Sequence, residues 1–241
     1  MTFAPFSSPQ RRLASAAAMA LLVAACAVPT NPPTPSPTAE PTLPPTAPPF
    51  TLAPTPSDCP TAAPSAMSGT ATVTMVTNYG TIVIKVDASL GPNAAGAFVA
   101  LARCGYYNDV LFHRIVAGFI VQAGDGQYAR LPSIAPASFG IGGPGWSIPD
   151  DKVTTKYVRG MLAMGRISGQ DNSGSSQFFI VLADSANDSL ASSGTNNYAQ
   201  FGTVTSGMDV VDRIAEIPTG GDNGDMALEP AVILSTTVTT P

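Results

Sequence analysis

Apolar and polar residues alternate through Thr70–Thr77, with Val73, Met75 and Thr77 on one face. Asn78-Tyr79-Gly80 follows as a turn signal, and Thr81 to Val86 alternates again through Ile82, Ile84 and Val86. Two runs of period two split by a turn predict a β-hairpin. From Pro92 to Arg103 the period changes. Ala95, Phe98, Val99 and Ala102 recur at helical spacing, Pro92 suits a first-turn position, and Gly105 stops the run. Beyond Tyr107 come short apolar runs separated by Gly, Asn, Asp and Pro: Leu111–Val116, Phe119–Ala123, Gly160–Met164, Gln177–Leu182 and Gln200–Val204. Met208–Ile214 predicts a second helix and Ala231–Val238 a last strand. About eight short strands and two helices, without strand–helix alternation, predict a mainly β domain: a closed antiparallel barrel with helical caps.

The first 66 residues follow another pattern. Arg11 and Arg12 precede an uncharged stretch, Leu13 to Ala25. It is too short for a spanning helix, which needs about 20 residues, and suits the apolar region of a secretory signal. The stretch ends in Val23-Ala24-Ala25-Cys26, which resembles the lipobox of bacterial lipoproteins, where the Cys becomes the lipidated first residue. Fourteen of the 24 Pro then lie between Pro29 and Pro64, among Thr, Ser and Ala. Such a stretch cannot bury a core and favours extended polyproline II. The expected organisation is a signal over 1–25, a lipidated Cys26 and Pro/Thr-rich linker over 26–66, and one domain over 67–241. The linker reads as a spacer holding the domain off a membrane, or as a ligand for a Pro-binding partner.

Charge and rare residues narrow the chemistry. The net charge is −5 with no basic run, which argues against nucleic acid. A single His, His113, excludes a multi-His metal site, and no Cys spacing suggests zinc. No metal or cofactor is expected, and nothing demands more than a monomer. With Cys26 lipidated, Cys59 and Cys104 remain in an oxidising compartment, either as a disulfide or as two thiols.

Residues 112–125 read Phe-His-Arg-Ile-Val-Ala-Gly-Phe-Ile-Val-Gln-Ala-Gly-Asp. This resembles the signature of the cyclophilins, peptidyl-prolyl isomerases, with Ala117 in place of a Pro and Ala123 in place of a Gly. Ser175-Ser176-Gln177-Phe178-Phe179-Ile180, Tyr198-Ala199-Gln200-Phe201-Gly202, Gly143-Pro144-Gly145-Trp146 and Arg159-Gly160-Met161-Leu162-Ala163-Met164 resemble further family blocks in the right order. Asn187-Asp188-Ser189-Leu190 lacks the Trp that tight binders of cyclosporin tend to carry there.

The resemblance implies a cyclophilin-like barrel and an enzyme that isomerises X–Pro bonds in exported proteins outside the membrane. It implies Arg114 as the hydrogen-bond donor to the prolyl nitrogen, with Gln122 bracing Arg114 or meeting the substrate carbonyl, and Phe119 beside them. It implies a substrate groove lined by Phe112, Ile120, Gly165, Arg166, Gln177, Phe179, Leu190 and Tyr198. Alternation assigns Phe178 to the core and turns His113 away from the face of Arg114, so the His is not expected to act as a base. The Asp222-Asn223-Gly224-Asp225 stretch reads as a surface turn. A non-catalytic module that binds Pro-containing segments, as a chaperone or scaffold, is the alternative reading.

Overall fold

The alternating runs form β1 (Thr70–Thr77) and β2 (Gly80–Asp87), paired antiparallel from Thr70↔Asp87 to Thr77↔Gly80. The turn between them is closed by Thr77, whose Oγ1 donates to the Gly80 carbonyl at 2.8 Å and accepts the Tyr79 N–H at 3.1 Å. Gly80 sits at φ 135°, where an L side chain is strained, and a Cβ there would press on Val210. The computed structural model describes residues 55–191 and 198–241. The expected signal, Cys26 and most of the linker lie outside the described residues.

Helix α1 (Pro92–Arg103) buries Ala95, Phe98, Leu101 and Ala102 against the sheet. Its start is capped from far along the chain. The Asp151 carboxylate accepts the N–H groups of Asn93 at 3.1 Å and Ala94 at 2.8 Å. These are donors that the helix cannot satisfy itself, and a negative charge there suits the helix dipole. At the other end, Cys104 forms a disulfide with Cys59. The Trp146 Nε1–H donates to the Pro60 carbonyl at 2.9 Å. Residues 55–66 thus lie against the domain without helix or strand of their own.

The remaining strands are β3 (Arg114–Val116), β4 (Ile120–Ala123), β5 (Met161–Met164), β6 (Phe178–Val181), β7 (Gln200–Ser206), β8 (Thr219–Gly220), β9 (Met226–Ala227) and β10 (Ile233–Thr239). Helices α2 (Ala186–Ala191) and α3 (Met208–Ala215) complete the described elements, with a 3₁₀ turn at Pro136–Ser138. All pairings are antiparallel, and the order is β10-β1-β2-β7-β5-β6-β4-β3-β9-β8.

This corrects two expectations. Among the described residues the sheet is an open row of ten strands, not a closed barrel of about eight, and three helices accompany it. No ladder joins the row's ends. Residues 109–112 and 231–233 meet through one isolated antiparallel bridge, Leu111↔Val232, with hydrogen bonds around it such as Asp109 N–H to Ile233 O at 2.7 Å and Phe112 N–H to Ala231 O at 2.9 Å. Helix α2 escapes a periodicity reading because it is six residues long, with only Ala186 and Leu190 buried.

The core lies on one face of the sheet. Phe98 stands edge-on to Phe178 at 5.2 Å between ring centroids and packs at 4.9 Å from Phe201. Burying each such ring contributes roughly 1.5–3 kcal/mol. On the opposite face a second apolar cluster gathers Ile120, Met161, Ala163, Phe179 and Leu190.

Candidate active site

Antiparallel register builds the site. Arg114 faces Gln122, Gln122 faces Phe179, and Phe179 faces Ala163. Directly opposed residues share a face, so a cation, an amide and an aromatic ring stand in one row across β3, β4 and β6. One step along lie Val116, Ile120 and Val181. The Gly118 turn carries half-buried Phe119 beside them.

Arg114 is held on two sides. Its Nε–H donates to Asp225 Oδ2 at 2.7 Å and its Nη1–H to Gln122 Oε1 at 3.3 Å. Gln122 Nε2–H donates to Gln177 Oε1 at 2.9 Å, and Gln177 Nε2–H donates to the carbonyls of Gly140 at 2.8 Å and Gly142 at 2.9 Å. Gln122 therefore braces Arg114. The Arg114 side chain stays 37 % exposed and lines the hollow beside Asp225.

The loop carrying Gly140 and Gly142 is folded back by Asp125. This carboxylate is fully buried and accepts the N–H groups of Gln127, Tyr128, Gly140 and Gly142 at 2.8–3.2 Å. Gly124, just before it, has φ 102° and lies against the Ser176 carbonyl, where no side chain fits.

Two hollows flank the Arg114–Gln122 pair. One of about 410 Å³ is walled by His113, Arg114, Phe139, Asp222 and Asp225. The other, about 400 Å³, is walled by Gln122, Gly142, Gly165, Arg166 and Gln177. His113 is 2 % exposed, and burial lowers its pKa to about 4, against the pull of the Asp125 charge. The ring is neutral near pH 7 and packs on Phe139 at 5.8 Å.

The apolar wall continues through Phe179, which meets Tyr198 edge-on at 5.2 Å. Tyr157 fixes that wall. Its hydroxyl donates to the Tyr198 carbonyl at 2.7 Å, and burial pushes its phenol pKa up. Leu190, from α2, is buried in the same cluster.

The family model described as cyclophilin type peptidyl-prolyl cis-trans isomerase/CLD matches residues 72–238. The chain belongs to this family. As a cyclophilin-type isomerase it is similar to the peptidyl-prolyl cis-trans isomerase of Acinetobacter baylyi, 36 % identical over 172 residues, covering 68 % of this chain and 82 % of that protein. It is also similar to peptidyl-prolyl cis-trans isomerase B of Escherichia coli K12, 35 % identical, covering 69 % of this chain and 98 % of the relative. The crystal structure of a Cryptosporidium parvum cyclophilin type isomerase superposes with a TM-score of 0.57 at 27 % identity, covering 71 % of this chain and 99 % of that one. A further crystal structure of that parasite protein, in the presence of the dipeptide Ala-Pro, gives 0.56 at 28 % identity.

Set against the cyclophilin groove expected from sequence, Arg114, Gln122, Phe119, Ile120, Gly165, Gln177, Phe179, Leu190 and Tyr198 stand along one continuous face and its flank. Phe112 does not. It is fully buried in the core against Phe178, because β3 begins only at Arg114 and alternation does not extend back to residue 112. Arg166 borders the groove, but its guanidinium is committed to Asp150, Asp171 and the Gln170 carbonyl, and its side chain is 4 % exposed. It shapes the wall more than it offers a charge. Sequence reasoning missed Asp225 as the partner of Arg114 and Asp125 as the organiser of the 126–142 loop. Their pairings span 111 and up to 17 positions, and only the Gly-Asp at the end of the signature hinted at the second.

Proposed function

We propose that this enzyme accelerates X–Pro isomerisation in exported proteins by a non-covalent route, with Arg114 donating a hydrogen bond to the prolyl nitrogen. The chemistry asks for little machinery. Amide resonance sets a barrier of about 18–20 kcal/mol, and the uncatalysed step takes on the order of 10–100 s. Reaching roughly a millisecond needs about 6–7 kcal/mol. As the amide twists, its nitrogen pyramidalises and gains a lone pair. A fixed cation that donates to that lone pair stabilises the twisted state more than either planar one.

The observation that carries this reading is the placement of Arg114. It is braced by Asp225 and Gln122 and adjoins an apolar wall containing Ile120 and Phe179. Bracing suits a donor whose orientation must be ready in advance. A charge-assisted hydrogen bond contributes about 1.5–3 kcal/mol. The apolar wall, by seating the Pro ring, must supply much of the remainder. The Ala-Pro dipeptide present with the parasite relative is the X–Pro unit proposed as substrate here.

The membrane-side setting rests on the lipobox-like Val23-Ala24-Ala25-Cys26. In this reading a lipid on Cys26 holds the domain outside the cytoplasmic membrane. A coupled isomerisation assay on short X–Pro peptides, with the intact protein and Arg114→Ala, tests the mechanism. Activity that falls at least tenfold in the variant is expected. Equal activity in both sinks the role of Arg114, and none in either leaves a Pro-segment binder. For the anchor, Cys26→Ser is expected to move the protein out of the membrane fraction; retention there counts against it.

A further inference from the structure

The polypeptide joins the domain beside the groove. Cys59 is bonded to Cys104, the Cys59 N–H donates to the Pro56 carbonyl at 3.1 Å, and Trp146 holds Pro60. These contacts fix where the chain arrives. Thr55, the first described residue, lines a hollow of about 590 Å³ with Gln127, Ile141, Gly143 and Trp146. Ile141 and Gly143 also wall the hollow that holds Gln122, Gly165 and Gln177. The two hollows are therefore neighbours across the 140–143 loop. At their junction Ile141 is 75 % exposed, an apolar side chain with nothing described upon it.

We propose that residues 47–54 of this same chain, Ala-Pro-Pro-Phe-Thr-Leu-Ala-Pro, dock in the groove, crossing Ile141 toward Gln122 and Phe179. This rests on the isomerase reading of that groove and names its first, intramolecular occupant. The segment has the matching chemistry. It is uncharged, it offers X–Pro bonds at Ala47–Pro48 and Ala53–Pro54, and Phe50 and Leu52 are apolar partners for Ile141. Reach is sufficient. An extended Pro-rich chain advances about 3.1 Å per residue, so eight residues cover roughly 25 Å. Each hollow is on the order of 10 Å across.

Tethering decides the outcome. A short X–Pro peptide makes few contacts and binds weakly in trans. Joined through a short stretch to a fixed point beside the site, the same peptide acts at an effective concentration of about a millimolar or more. A ligand of millimolar affinity then occupies the groove for a large part of the time. Clients must displace it, which raises the apparent KM and leaves kcat unchanged.

The test compares the full chain with its Pro48→Ala/Pro49→Ala/Pro54→Ala form, in KM for a short X–Pro peptide and in the side-chain amide shifts of Gln122 and Gln177. The expected result is a KM about two- to tenfold higher in the unaltered chain, equal kcat, and displaced Gln122 and Gln177 resonances between the two. Coincident KM values and superimposable amide resonances overturn the proposal. A KM ratio that grows with protein concentration also overturns it, since docking is then onto a second copy. Where neither protein turns over the peptide, the isomerase reading fails by itself. The amide shifts then decide docking alone: displaced resonances uphold it and coincident ones end it.

Discussion

Replacing His113 by Gln removes the only imidazole of the chain and keeps a polar side chain of similar reach. The ring is 2 % exposed, and burial holds its pKa at about 4 instead of the ordinary 6.5. Asp125 and Asp225 pull the value up and Arg114 pushes it down, without cancelling the burial. The unfolded chain therefore takes up a proton near pH 6.5 that the folded one refuses until about pH 4. Between those values the unfolded state binds more protons, so stability falls as pH falls. The contribution of neutral His113 is complete above pH 6.5. Linkage between these two pKa values gives a loss of about 2 kcal/mol by pH 5 and about 3 kcal/mol by pH 4. Against a typical total of about 5–15 kcal/mol, that is readily measured. Urea unfolding of both proteins at pH 7.5, 6 and 5 reads it out. The two proteins differ at this side chain alone, so the difference between the two pH profiles isolates the ring. The unaltered protein is expected to lose about 2 kcal/mol more than His113→Gln between pH 7.5 and 5. Parallel profiles would refute the claim that burial keeps this ring neutral.

Three further outcomes are expected. Asp225→Asn keeps an acceptor near Arg114 but removes its charge. Partial exposure screens the loss to about 1 kcal/mol or less, so kcat/KM should fall roughly three- to fivefold in the peptide assay. Cys59→Ser with Cys104→Ser opens a covalent loop spanning 45 positions; chain entropy predicts a loss of about 3–4 kcal/mol, checked by the urea midpoint under oxidising conditions. Gly124→Ala places a Cβ at φ 102° against the Ser176 carbonyl. It should cost about 2 kcal/mol or more and lower the Tm, with activity falling as the Asp125 loop loosens.

Local pattern carried most of the strands and α1. Thr70–Thr77 and Pro92–Arg103 have the bounds that alternation and helical spacing imply, because their burial is one-sided and their ends carry turn and breaker residues. The Phe178–Phe179 pair was legible for the same reason: one ring enters the core and the next faces the groove. What was not legible depends on distant partners. Nothing near Pro92 indicates that Asp151 caps α1, and nothing near Arg114 points to Asp225. Phe112 misled because it was carried over with the signature, whereas residues 109–112 precede β3 and bond to residues 231–233, which turns its ring into the core. Barrel closure failed as an expectation because period two reports faces, not which edges meet.

The contacts running from Arg114 to the 140–143 loop also have a direction. A guanidinium can only donate and a backbone carbonyl can only accept. With Arg114 at one end and the Gly140 and Gly142 carbonyls at the other, the amides of Gln122 and Gln177 have one orientation that satisfies every bond. Neither amide can flip alone without setting oxygen against oxygen or nitrogen against nitrogen. The five groups thus form a one-way relay whose dipoles add, each bond polarising the next. Displacing the loop at its acceptor end frees Gln177 to turn, then Gln122, and finally unaligns one face of Arg114. The 140–143 loop, which lines the hollow that also holds Thr55, is therefore wired to Arg114.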